Sequence, residues 1–280
     1  MKLNDQTKKL ISLALSEDIG KRDITTCLIV DNKLKGIAAL EVKSKGIICG
    51  IDIAKYICRS FDTKIKIKNF VKDGDSVTAG KKVAEIYGGY ASLLTIERTL
   101  LNFIQRMSGI ATASREFVKK LSGTKTVLLD TRKTAPGHRL LDKYAVKIGG
   151  GANHRIGLFD MILIKENHIA AAGSINNAVK KVLTVKPRGM KVEVETTNLE
   201  EVKEAISCGA DIIMLDNMNL AEMRKAVKLI NGKCKVEASG GITLSNARKI
   251  ALTGVDFISV GAVTHSVNAL DIAMYIKLKT

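Results

Sequence analysis

Six short runs of β-branched and other apolar residues punctuate the chain from Thr126 onward: Thr126–Asp130, Asp160–Lys165, Lys191–Glu195, Asp211–Asp216, Cys234–Ser239 and Asp256–Gly261. They read as near-continuous apolar segments, the pattern of strands buried on both faces. Amphipathic stretches fall between them near 139–148, 174–184, 198–207, 219–231 and 243–252. Asn198 with Glu201, and Asn219 with Glu222, supply helix N-caps with an acidic third position. Strand–helix alternation of this kind predicts parallel βα units. Six strands fall short of the eight that close a (β/α)8 barrel, so an incomplete barrel and an open doubly wound sheet both fit the pattern.

Residues 1–97 read differently. Helical periodicity over 3–15 gives way to short alternating strands such as Gly36–Lys43 and Lys64–Phe70. The stretch Val71–Ile86 carries two Gly turns between apolar runs and resembles the hammerhead turn of biotinyl and lipoyl domains. No Met-Lys-Met-like attachment site accompanies it, so it reads as architecture. Leu93 to Lys120 is a long helical tract joining the two parts.

Composition narrows the class. The 280 residues are 46% apolar and 26% charged, an ordinary globular balance that excludes disorder. Apolar stretches such as Gly46–Ala54 are broken by Asp52 or Lys55 long before membrane-spanning length, so no membrane association is expected. The Leu10–Leu15 patch contains Ser12 and runs into Glu17 and Asp18, which argues against a signal peptide. Five scattered cysteines without a CxxC pair point to reduced thiols and a cytoplasmic location.

The net charge of +17 invites a nucleic-acid reading until its placement is examined. Residues 98–165 hold 13 basic and only 4 acidic residues, with six of the eleven arginines. Arg suits bidentate recognition of carboxylates and phosphates, while dispersed Lys is mostly solvated surface. Aromatics are only 4%, with no basic–aromatic interleaving. A small polyanionic ligand explains the pattern better than a nucleic acid, and none is expected as partner.

Candidate chemistry collects at the strand ends: Asp130-Thr-Arg-Lys133, Lys165-Glu-Asn167, Glu193-Val-Glu195, Asp216-Asn217, Ser239-Gly-Gly241 and Ser259-Val-Gly261. In parallel α/β folds ligands bind at the carboxyl ends of strands. Cations, carboxylates and Gly-rich backbone together suit a phosphorylated sugar with a divalent metal. Strand ends are often polar for no functional reason, but six with complementary chemistry are a stronger signal than one. Gly149–Gly157 lacks the dinucleotide spacing, Gly74–Lys82 misses the P-loop spacing, and His138, His154 and His168 do not form a zinc pattern. Each of these histidines, taken alone, reads as structural.

Longer motifs carry a resemblance. Asp130-Thr-Arg-Lys-Thr-Ala-Pro-Gly-His-Arg139, Lys143-Tyr-Ala-Val146, Gly149-Gly-Gly-Ala-Asn-His-Arg-Ile-Gly-Leu158 and Leu163-Ile-Lys-Glu-Asn-His168 resemble the quinolinate phosphoribosyltransferase family. The resemblance extends through Glu193–Glu195, Met214–Met218, Ala238–Thr243 and Ile258–Ser266, and back to Glu17–Gly20 and Ile96–Asn102. It implies an α/β, type II phosphoribosyltransferase fold. An N-terminal α/β sandwich over residues 1–110 would join an open α/β barrel over 111–267, with a helix at 268–280 packing back on the first domain. The implied reaction joins quinolinate to 5-phosphoribosyl-1-pyrophosphate, giving nicotinate mononucleotide, CO2 and pyrophosphate for NAD synthesis.

The resemblance also implies roles by position. Arg98, Arg132, His154, Arg155 and Lys165 would form a cationic quinolinate pocket that continues past Thr131. Lys133, again with Lys165, would face phosphoribosyl pyrophosphate. Glu195 and Asp216 would lie near the ribose hydroxyls and, indirectly through the pyrophosphate, Mg2+. Ser239, Gly240 and Gly241, with Ser259, Val260 and Gly261, would cradle the 5′-phosphate. Lys133, Lys165, Glu195 and Asp216 are thereby the catalytic candidates. A homodimer, alone or stacked into higher assemblies, would share each site, with Arg98 supplied by the partner chain. The competing readings are a molybdenum-transport-associated paralogue of the same fold and a basic nucleic-acid-binding protein.

Overall fold

The structure, a computed structural model, describes residues 3–279. In chain order the elements are α1 (Asp5–Ile19), α2 (Ile24–Ile29), β1 (Lys35–Val42), β2 (Gly46–Ile47), α3 (Ile51–Phe61), β3 (Lys66–Asn69), β4 (Ser76–Val77), β5 (Lys82–Gly89) and α4 (Tyr90–Leu121). There follow β6 (Val127–Leu129), α5 (Arg139–Gly149), β7 (Ile162–Ile164), α6 (Glu166–Ala172), α7 (Ile175–Val185), β8 (Val192–Thr196) and α8 (Leu199–Ser207). The remainder are β9 (Ile212–Asp216), α9 (Leu220–Ile230), β10 (Lys235–Ser239), α10 (Ala247–Ala251), β11 (Phe257–Ser259), α11 (Ala262–His265) and β12 (Ile272–Leu278). None of the described helices is long and apolar enough to cross a membrane.

Two units emerge. The first takes in the chain up to Arg115, the stretch Ala135–Gly150 and the chain from Thr264 onward. Its antiparallel sheet has the order β12–β1–β5–β3, and β1 alternates outward positions with buried Ala38, Leu40 and Val42. One expectation is corrected here. Residues 268–280 contain no helix; β12 pairs antiparallel with β1, with Met274 opposite Leu40. The reason is its period of two, with Ile272 and Met274 buried and Tyr275 exposed.

Against the expected domains 1–110 and 111–267, these units differ in one respect: Ala135–Gly150 groups with the first. Polar ties hold it there. Arg106 on α4 makes a two-pronged contact with the fully buried Asp142, at 3.0 and 2.7 Å. Tyr144 Oη donates to Asp73 at 2.9 Å, and Arg115 Nε donates to the Gly149 carbonyl at 2.8 Å.

The second unit spans Glu116–Thr134 and Gly151–Val263. Its six strands are all parallel, in the order β6–β11–β10–β9–β8–β7. A doubly wound sheet reverses its strand order midway. This one runs in a single direction and brings its first strand back beside its last. It is therefore an α/β barrel of six strands, open between β6 and β7. At the opening, Ala152 N–H donates to the Leu128 carbonyl at 2.8 Å, so the chain after α5 partly covers the β6 edge. The caps read from the sequence form: Asn198 accepts from Glu201 N–H at 3.0 Å, and Asn219 with Glu222 makes a reciprocal capping box.

Candidate active site

The carboxyl ends of the six parallel strands surround one cavity of about 690 Å3 within the second unit. Thr131, Arg132 and Lys133 reach it from beyond β6, His154 and Arg155 from the covering segment, and Lys165 from the end of β7. Glu195, Asp216 and Asn217 enter from β8 and β9, and Ser239, Gly240, Gly241 and Ser259 from β10 and β11. Val260 and Gly261 do not line it. Val260 is buried, and its N–H donates to the Leu129 carbonyl at 3.0 Å, joining β11 to β6. Arg98 lies on α4 of the first unit, with 62% of its side chain exposed and Glu97 4.0 Å away.

The cationic side is compressed. Burial, and then the neighbouring charge of Arg132, push the Arg155 guanidinium below its ordinary pKa. Its Nη1 donates to the Met161 carbonyl at 3.3 Å. Two guanidinium groups that repel each other at a cavity wall form a seat for an anion. Thr131 Oγ1 accepts the Lys133 N–H at 3.0 Å, which tightens the turn carrying both cations.

The acidic side faces them. Lys165 Nζ forms an ion pair with Glu195 Oε2. Asp216 accepts from Asn217 Nδ2 at 2.8 Å, and Asn217 itself sits at φ +54°. Gly240, at φ +89°, leaves room for it: a Cβ there would stand 2.1 Å from Asn217 Oδ1. Glu195 and Asp216 offer hard oxygen donors and little else, the donor set of a Mg2+ that keeps waters and takes phosphate oxygens. The implied ion fits this side of the cavity.

Beneath the cations lies a cluster that adds Glu237 to two residues marked in the sequence, His154 and Glu193. His154 Nε2 is 2.9 Å from Glu193 Oε2 and 3.6 Å from Glu237 Oε2, and both glutamates are fully buried. The sequence signal for Glu237 is a carboxylate in the middle of the apolar run Cys234–Ser239. Asp130, also fully buried, accepts the His154 N–H at 2.9 Å and secures this segment to β6. The other histidines are accounted for structurally. His168 Nδ1 accepts the Lys165 N–H at 3.0 Å at the start of α6. His138, in the first unit, stacks on Phe103 with ring centroids 5.4 Å apart, and burial lowers its pKa.

Comparison with known proteins agrees with this architecture. The signature of the quinolinate phosphoribosyl transferase C-terminal domain matches residues 110–275, and that of the N-terminal domain matches residues 23–108. The chain is 44% identical to the chloroplastic nicotinate-nucleotide pyrophosphorylase (carboxylating) of Oryza sativa, over 96% of this chain and 77% of that protein. Among solved structures, the nicotinate-nucleotide pyrophosphorylase of Francisella tularensis superposes with a TM-score of 0.93 at 44% identity, over 99% of this chain and 98% of that one. NadC of Streptococcus pyogenes superposes with a TM-score of 0.95 at 38% identity, over the full length of both chains. With both domain signatures matched in order and the strand-end cavity in place, the chain belongs to the quinolinate phosphoribosyl transferase family.

Proposed function

We propose that this chain transfers the phosphoribosyl group of 5-phosphoribosyl-1-pyrophosphate to quinolinate, releasing CO2 and pyrophosphate and forming nicotinate mononucleotide. One observation carries the reading: paired guanidinium groups, two lysines, three carboxylates (one of them the buried Glu237) and a glycine-bearing strand end meet in a single cavity. That set matches a dianionic acid on one side and a phosphorylated sugar on the other.

In this reading, Arg132 and Arg155 hold the two quinolinate carboxylates and place the pyridine nitrogen against the anomeric carbon. The nitrogen attacks as the carbon–oxygen bond to pyrophosphate breaks, and the bonding pair leaves with the pyrophosphate. Lys133 and Lys165 oppose that developing negative charge. Glu195 and Asp216 flank the ribose, where positive charge develops, and would also hold Mg2+ near the pyrophosphate. The ion, when bound, neutralises phosphate charge. Ser239, Gly240 and Gly241, with Ser259, receive the 5′-phosphate. Once ribosylated, the ring nitrogen is cationic. The pair from the breaking bond to the 2-carboxylate flows into the ring, CO2 departs, and a proton from water completes the carbon.

Arg98, remote in sequence from the strand ends, is assigned to the quinolinate pocket of a second copy, in a twofold dimer with two shared sites. Five free cysteines fit a reducing cytoplasm. Release of labelled CO2 from carboxyl-labelled quinolinate, dependent on phosphoribosyl pyrophosphate and Mg2+, is the expected result. No release with both substrates and the metal present would overturn the assignment.

A further inference from the structure

A hydrogen-bond chain on the cavity floor takes no part in the reaction just described. The backbone N–H of Arg155 donates to His154 Nδ1 at 2.8 Å. A backbone N–H can only donate, so Nδ1 is the unprotonated nitrogen. Nε2 then carries the ring proton and gives it to Glu193 Oε2 at 2.9 Å. Both ring nitrogens are thus spent on the protein, and His154 serves the pocket as a link instead of as a cation.

We propose that Glu193 and Glu237 are positioning residues: acting through the imidazole of His154, they fix the backbone of Arg155 and so aim its guanidinium at the substrate carboxylates. The inference rests on the reading of Arg155 as a carboxylate-binding residue. Glu193 Oε1 and both oxygens of Glu237 are buried with no hydrogen-bond partner among the described residues. Two bare carboxylates cannot stay side by side in such a place. A proton kept on Glu237 lets its carboxyl hydrogen-bond to Glu193, and Ser259 lies beside the same carboxyl. Burial, and then the charge of Glu193, hold the Glu237 carboxyl well above its usual range. A metal ion is the other way to satisfy two carboxylates, and the ligating atoms of His154, Glu193 and Glu237 do lie within 4.8 Å of one another. But a ring nitrogen that bears a proton is not a ligand.

The test uses the whole protein and two readouts. Glu193→Leu removes the acceptor of the Nε2 proton. It should raise the KM for quinolinate by about tenfold or more while leaving the KM for phosphoribosyl pyrophosphate within about twofold. Glu237→Leu should do the same. Glu237→Gln, whose amide N–H replaces the carboxyl proton, should restore quinolinate KM to near the wild-type value. Equal changes in both KM values, or none in either, would overturn the proposal.

The second readout is the ring. The chain has four histidines, so 15N-histidine labelling gives a short spectrum. His154 is expected to show a pyridine-type Nδ1 and a pyrrole-type Nε2 in the wild type, and a protonated Nδ1 would refute the positioning role even if Glu193→Leu does not fold. Arg155→Ala separates the two failures. If it leaves quinolinate KM unchanged, the reading of the pocket is wrong. If it raises KM and the glutamate variants do not, only the positioning role is wrong.

Discussion

Arg132 and Arg155 stand close enough for each to oppose the other's charge, and a ligand that brings two carboxylates relieves both. Nicotinate brings one. It would meet only part of this positive charge, so its kcat/KM should fall below that of quinolinate by about 10³-fold or more. Comparable efficiencies for the two acids, measured side by side, would remove these arginines from the carboxylate role. Asp216 belongs to the other half of the cavity. Asp216→Asn should lower turnover by about 10²-fold while quinolinate binding in the absence of the second substrate is retained, as calorimetry would show. Lost quinolinate affinity would place Asp216 among the groups that orient the cations. Thr131–Lys133, Lys165, Glu195 and Asp216 were legible because each ends an apolar run with a polar group that a strand end exposes. Glu193 was legible as part of the same strand end, but its pairing with His154 and Glu237 was not, because that depends on what faces it across the barrel.

Helix α4 shows where local preference and packing disagree. Its 32 residues include Gly109, which by propensity alone should gain about 1 kcal/mol on replacement by Ala. A Cβ there would stand 2.2 Å from the Asn268 carbonyl oxygen, a backbone atom with nowhere to go. Packing therefore sets the sign, and Gly109→Ala should lower the unfolding free energy by about 1–3 kcal/mol in urea titration. A raised midpoint would mean that the segment before β12 yields easily. The parallel strands and the caps of α8 and α9 could be read because their signals are local. Helix α3 could not. Its N-cap is Gly50 with no capping side chain of its own; the carboxylate of Asp73, more than 20 residues downstream, accepts the N–H groups of Gly50 and Ile51, both at 3.0 Å. For β12 the alternation was present in the sequence, but the resemblance pointed to a helix and overrode it.

For the molecule as a whole, the shared-site proposal is tested by mixing two inactive variants, Arg98→Ala and Lys165→Ala, under conditions that exchange subunits. Half of the randomly formed dimers are mixed, and each carries one intact site, so about a quarter of wild-type activity should return. No recovery despite verified exchange would mean that Arg98 acts within its own chain or not at all. The two-part organisation was visible in the change from alternating to buried strands near residue 100. The grouping of Ala135–Gly150 with the first unit was not, because the ties at Asp142, Tyr144 and Gly149 join residues far apart in sequence. One consequence concerns the order of synthesis. The first unit takes its edge strand β12 from residues made after the entire barrel, and pairs it with β1, made near the beginning. Until residues 272–278 leave the ribosome, β1 presents an unpaired backbone edge to the cell. The barrel, whose strands pair mostly with their neighbours in sequence, has no such wait, so of these two units the one begun first is completed last.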